Sequence, residues 1–211
     1  MPKPTHRFGS KLASRKQGRR SARIRVIAVG VDGERTEYRY FMGWKLKLGN
    51  VGADIRPYYL RSGGNALEAV EACRDWAASE GPFEEVYCVC DVDDTSPQDL
   101  SDAVGICEKA QITLCVSTRS FEVWLALHWE KISLSPLVNE KDAINLVSKH
   151  HNKYCKKEKE VDFAVLFPMT EQACRNADWL SRQGISNPGT NVHVLVSRLM
   201  KLYKKRSVLK G

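Results

Sequence analysis

Among its seven cysteines the chain has no C-x-x-C pair, and nothing at its N-terminus has the apolar core of a secretion signal. A disulfide framework and a paired-cysteine zinc module are therefore not expected. His150, His151 and Cys155 lack the second ligand pair that a zinc site needs. No apolar run approaches the roughly 20 residues needed to cross a bilayer, so a soluble, cytoplasmic protein without membrane contact is expected. There is no Walker lysine loop, no G-x-S-x-G elbow and no internal repeat, which removes P-loop NTPases, α/β-hydrolases and solenoids from consideration. Acid is missing altogether from residues 1–31, which carry Lys3, Arg7, Lys11, Arg15, Lys16, Arg19, Arg20, Arg23 and Arg25.

That imbalance produces most of the net charge of +8 over 211 residues. Without the arm the remainder is close to neutral, so the basic character belongs to a segment rather than to a folded body. Residues 1–22 are polar and aperiodic, and are expected to be disordered or to order only on an acidic partner, with nucleic acid the foremost candidate. Residues 23–211 are expected to form one domain, an α/β core over 23–130 and a mainly helical extension over 131–211.

The core is organised around Val86-Tyr87-Cys88-Val89-Cys90-Asp91-Val92-Asp93-Asp94-Thr95. Its β-branched, aromatic and small apolar residues, without polar alternation, predict a strand buried on both faces, as in a parallel sheet. Cys88 and Cys90 read as small hydrophobes there. The strand ends in a burst of carboxylates before Ser96-Pro97 opens a helix, with Asp94 or Ser96 as its cap. Parallel sheets bind ligands beyond the carboxyl ends of their strands, where acids can hold Mg²⁺ through hard oxygen ligands.

The same grammar occurs earlier. Ile24–Gly30 predicts a first strand, and Asp32 lies just past it, before a helix with Tyr38, Phe41 and Met42 on one face. Ile55–Leu60 predicts a second strand, followed by the turn Arg61-Ser62-Gly63-Gly64-Asn65, which either exposes N–H groups to phosphate or is a plain tight turn. Helices over Ala66–Ala78 and Gln98–Ala110 and a strand over Ile112–Val116 complete an alternating pattern, the mark of a mostly parallel α/β sheet flanked by helices. Phe121, Trp124, Leu125, His128 and Trp129 then recur at helical spacing, with His128 read as a core histidine. Glu122 lies off that stripe, either favouring a helix N-terminus or standing on the crevice rim. The lysine-rich run Lys149–Lys159 interleaves Tyr154, a pattern that suits a nucleic-acid backbone as well as a solvated loop. Ala173, Cys174, Ala177 and Leu180 mark a helix, Asn187-Pro188-Gly189-Thr190 stops it, and the stripe Val192–Tyr203 is expected to be a core-packing helix.

Five motifs in order resemble the RloB-like proteins. They are Gly33-x-x-Thr36-Glu37 after the first strand, Asp91-Val92-Asp93-Asp94, Ser117 with Phe121-Glu122-x-Trp124-Leu125, Tyr154-x-Lys156, and Asn187-Pro188-x-Thr190. The resemblance implies a TOPRIM-related core, bacterial anti-phage defence, an ATPase partner of the ABC-like class, and Mg²⁺ (or Mn²⁺) bound by Asp32, Asp91 and Asp93. The chain departs from the family pattern at Asp32, where the family has Glu, and at Thr118-Arg119, which replace Asn-Pro. The candidate catalytic set is Asp32, Asp91, Asp93, Glu37 and Glu122, with Lys156, Arg119, Arg19 and Arg20 as nucleic-acid contacts. A metal-dependent nuclease is the leading expectation, and a degenerate module that binds nucleic acid or senses phage without cutting is the alternative. Asp91-x-Asp93-x-Thr95 also matches the first motif of haloacid-dehalogenase-like phosphatases. That fold begins with its nucleophile strand, whereas here two strands precede Asp91 and no later acid pair follows a buried strand.

Overall fold

The computed structural model describes residues 25–49, 53–62, 64–93, 95–151, 154–155 and 162–208. The basic arm with Arg19 and Arg20, the turn residue Gly63, Asp94 and Lys156 lie outside them.

Four parallel strands form one sheet in the order β2-β1-β3-β4. They are β1 (Arg25–Val31), β2 (Ala53–Tyr59), β3 (Glu85–Asp91) and β4 (Ile112–Ser117). Each is reached through a helix: α1 (Thr36–Leu48), α2 (Ala66–Glu80) and α3 (Pro97–Ala110). The chain leaves β1 outward to β2, then crosses back over β1 to β3, so β1 and β3 are neighbours whose connections run in opposite directions. Such a reversal opens a crevice at the carboxyl edge of the sheet.

Alternation along the strands sorts the core into two layers. Ile27, Val29 and Val31 of β1, Tyr87 and Val89 of β3 and Cys115 of β4 join one buried cluster with Phe41 and Trp44 of α1. Cys88 and Cys90 face the other way and pack with Ala69, Val70 and Cys73 of α2 and Ala103 and Cys107 of α3. All seven thiols are free; the five buried ones, among them Cys107, whose thiol burial pushes up to about 12, behave as small apolar groups. Close approach of α2 depends on Gly30, because a Cβ there would meet Cys73 Sγ and Leu60 Cδ2, both at 2.9 Å.

The buried stripe of α1 runs through Glu37, Tyr40, Phe41, Trp44 and Leu48. Of the three residues expected on that face only Phe41 is fully buried; Tyr38 and Met42 flank it, because the stripe follows the tryptophan and the tyrosine that fit the sheet. The aromatic segment after β4 is helical only over α4 (Glu122–Ala126), continuing in turns through Trp129. His128 is buried as expected. Its Nδ1 lies 3.1 Å from the Leu125 carbonyl oxygen, and burial lowers its pKa to about 4.

Helices α5 (Glu140–Ser148), α6 (Phe163–Leu166), α7 (Thr170–Ser181) and α8 (His193–Val208) extend the α1 face. Arg198 of α8 grips Glu85 at the start of β3, with Nε 3.0 and 2.9 Å from the two carboxylate oxygens. The outer edge of β4 is closed by the segment before α8. Ser117 bridges Thr190 in antiparallel fashion. The Asn191 side chain accepts from the Val116 N–H at 2.5 Å and donates to the Leu114 carbonyl at 3.0 Å, imitating a paired strand.

Candidate active site

Apolar strands that end in a carboxylate deliver that carboxylate to the sheet edge, and β1 and β3 do so side by side. Val31 pairs with Val89 in the parallel ladder, and the Asp32 N–H continues it by donating to the Val89 carbonyl at 3.0 Å. Asp91 is the last residue of β3 and pairs with Ser117. Asp32, Asp91 and Asp93 line one cleft of about 240 Å³ together with Gly64, Arg119, Ser120 and Glu140. A second hollow of about 310 Å³ adjoins it through Asp32 and Asp91 and is lined by residues 33–37, ending at Glu37. The sheet thus brings together the three aspartates that the sequence singled out.

Each acid is held differently. The Ser62 hydroxyl donates to Asp32 Oδ1. Burial raises the Asp32 carboxyl above the ordinary aspartate range, the Ser62 bond opposes that rise, and the charge of Glu68 adds to it. Asp91 is driven further up, first by burial, then by the neighbouring charges of Glu37 and Glu122. Asp93 forms an ion pair with Arg119, Nη1 to Oδ1 at 2.5 Å. Arg119 has a left-handed backbone, φ 68°, and its Nε donates to the Leu137 carbonyl at 3.0 Å. Its expected phosphate contact is thus replaced, in this state, by an acid of the cleft.

Glu37 and Glu122 are both buried, so Glu122 lies beneath the cleft rather than on its rim. The Tyr154 hydroxyl donates to Glu122 Oε1 at 2.6 Å, and Tyr154 is only 2 % exposed. This corrects the reading of Tyr154 as a surface group against a nucleic-acid backbone: its ring belongs to the core and its hydroxyl to the acid cluster. Burial and the charge of Glu122 push its phenol well up. Gly33 explains the spacing of the first motif. The Glu37 carboxylate folds over it so closely that a Cβ would lie 1.7 Å from Oε2.

The turn after β2 serves the site from inside. Asn65 caps α2 by accepting from the Glu68 N–H at 2.9 Å, and the Ala66 N–H donates to Thr95 Oγ1 at 2.9 Å, tying α2 to the loop that follows β3. The end of the turn thus serves as a helix cap and, at Ala66, a tether. Ser96 caps α3, accepting from the Asp99 N–H at 3.0 Å.

Ser120 escaped the sequence reading. Its Oγ is buried without a hydrogen-bond partner, and the residue lines the cleft with the aspartates. An orphaned hydroxyl among carboxylates is an all-oxygen donor set, which fits a hard divalent cation. Among the described residues no three His, Cys, Asp or Glu side chains are already arranged to hold a metal, and Mg²⁺ commonly takes only one or two protein carboxylates. No helix among the described residues is long and apolar enough to cross a membrane.

No curated protein and no solved structure matches the chain. The family model described as RloB-like protein matches residues 27–199, and the chain belongs to that family.

Proposed function

We propose that this member of the RloB-like family is a Mg²⁺- or Mn²⁺-dependent nuclease, hydrolysing phosphodiesters of RNA or DNA. The observation that carries the reading is the placement of Asp32 and Asp91 at the carboxyl ends of two adjacent parallel strands, with Asp93 in the same cleft. Crowded carboxylates whose pKa values rise with burial and mutual repulsion gain most from a cation. An acid after one strand and a D-x-D after its neighbour are in keeping with the TOPRIM-related core that the resemblance implies. Anti-phage defence and an ATPase partner of the ABC-like class rest on the resemblance alone.

Asp91 and Asp32, with Asp93, would hold the cation. Bound there, it would lower the pKa of a water nucleophile and neutralise charge building on the phosphoryl oxygens. Because burial and neighbouring acids raise the Asp91 carboxyl, a cation binding there would compete with a proton. Glu37, folded over Gly33, and Glu122, fixed by Tyr154, add negative charge beside Asp91 that a cation would relieve. Phosphate contacts fall to Arg119, with Lys156, Arg19 and Arg20 expected to add affinity.

The test is incubation of the purified protein with Mg²⁺ or Mn²⁺ and total cellular RNA or DNA. Asp91→Asn and Asp93→Asn abolish cleavage with an unchanged circular dichroism spectrum; variants that cut as fast as the wild type would sink the reading. Asp32→Glu keeps cleavage or raises it, and complete loss would show that Ser62 has fitted the site to the shorter acid. A second reading, nucleic-acid binding without cleavage, is favoured by the engagement of Asp93 with Arg119. It predicts tight binding and no product with any metal.

A further inference from the structure

We infer that Arg119 is a cation-released latch: a divalent cation and the Arg119 guanidinium compete for Asp93, and the freed guanidinium then takes a substrate phosphate. The inference rests on the proposed metal site and adds to it a coupling between metal and nucleic acid. Among the described residues lining the 240 Å³ cleft, Arg119 is the one cation, set among Asp32, Asp91, Asp93 and Glu140. Its side chain occupies the place of positive charge in a ring of acids, with Nη1 2.5 Å from Asp93 Oδ1.

Three features make the pair exchangeable rather than fixed. Both side chains keep contact with water, at 30 % and 27 % exposure for Arg119 and Asp93, so the attraction is screened and modest. The arm of Arg119 is carried on a left-handed residue, φ 68°, directly before Ser120, whose hydroxyl is orphaned. The second anchor of Arg119, the Leu137 carbonyl, is also satisfied by Asn187 Nδ2 at 2.9 Å, so release of Nε leaves no buried acceptor stranded. A guanidinium presents a planar fork of donors that matches a phosphate, which makes Arg the suitable residue for the second position. A cation at Asp93 draws on the same carboxylate charge and repels the guanidinium beside it, so metal and Arg119 weaken one another there. Metal and phosphate then assist one another, and linkage makes the effect reciprocal.

The experiment measures Mn²⁺ binding to the nucleic-acid-free protein, by electron paramagnetic resonance of the free ion. Wild type, Arg119→Gln, Asp93→Asn and the double variant form a cycle. Arg119→Asn serves as a second variant, because Asn tolerates left-handed backbone. Removing Arg119 should tighten Mn²⁺ about fivefold, the upper end for a solvent-screened pair, and should have no such effect when Asp93 is already Asn. A general field effect would instead tighten Mn²⁺ equally in both backgrounds and overturn the latch. In parallel, a labelled RNA and a labelled DNA oligonucleotide are titrated with Ca²⁺ or with chelator. Ca²⁺ should tighten oligonucleotide binding more for the wild type than for Arg119→Gln, which keeps only the cation's own attraction for phosphate; equal Ca²⁺ dependence in both also overturns it. If the wild type takes up no Mn²⁺, the metal site fails and the latch with it. Mn²⁺ uptake with an additive cycle removes the latch alone.

Discussion

Asp91 is the residue where function and stability oppose one another. Its carboxyl is raised by burial and by Glu37 and Glu122, so on raising the pH the unfolded chain ionises before the folded one. The stability contributed by this group is complete below the ordinary aspartate range, near ~3.9, and is lost as pH climbs through the folded value. Asp91→Asn removes that loss. Its melting temperature in metal-free buffer at neutral pH should rise by a few degrees, since ~1 kcal/mol corresponds to roughly 2–4 °C in a chain of this size. The advantage should shrink as the buffer approaches the aspartate range, and a variant that melts lower at neutral pH would show that Asp91 is favourably paired. Gly33 makes a separate demand. Gly33→Ala places a methyl where the Glu37 carboxylate lies, so cleavage should fall about 10²-fold, the effect of a misplacement near 1 Å. Product formation at saturating substrate measures it, and unchanged turnover would mean that Glu37 has no part in the reaction.

At the scale of elements, β4 depends on its cap. Asn191 supplies two side-chain hydrogen bonds to β4, at Val116 and Leu114. Asn191→Ala should cost about 2 kcal/mol, near ~1 kcal/mol for each bond, and open an edge for pairing between chains. A urea midpoint and light scattering check both parts, and a variant as stable and monodisperse as the parent would contradict the account. Strands β1 and β3 were legible in the sequence because each is a short apolar run that ends at an acid, and the acids Asp32 and Asp91 declared the edge that carries the site. Tyr154 was not legible. A single tyrosine in a lysine run has no periodicity, and its partner Glu122 lies 32 residues away. Glu122 misled for the same reason: its position off the apolar stripe suggests exposure, whereas the tyrosine that buries it comes from another segment. Ser120 gives no sequence signal, because an orphaned hydroxyl is a property of packing alone.

For the molecule as a whole, charge and chemistry occupy separate places. The folded body is close to neutral with an acidic cleft, while residues 1–31 carry basic charge and no acid. Deleting residues 1–22 should weaken nucleic-acid binding and flatten its dependence on salt, since fewer phosphates release counterions. Turnover at saturating substrate should stay nearly constant. Titrations of both proteins at two salt concentrations decide this, and an unchanged salt slope would assign the arm some other role. The closure of β4 also has a temporal side. The Thr118 N–H donates to the Gly189 carbonyl and its hydroxyl to the Ser186 carbonyl, while Asn187 holds Leu137, on which Arg119 rests. A ribosome reads out the four acids of the crevice long before it reaches residue 191. A nascent chain therefore has the charges without the frame that aims Arg119, and that frame is complete only once residues 186–191 have been made.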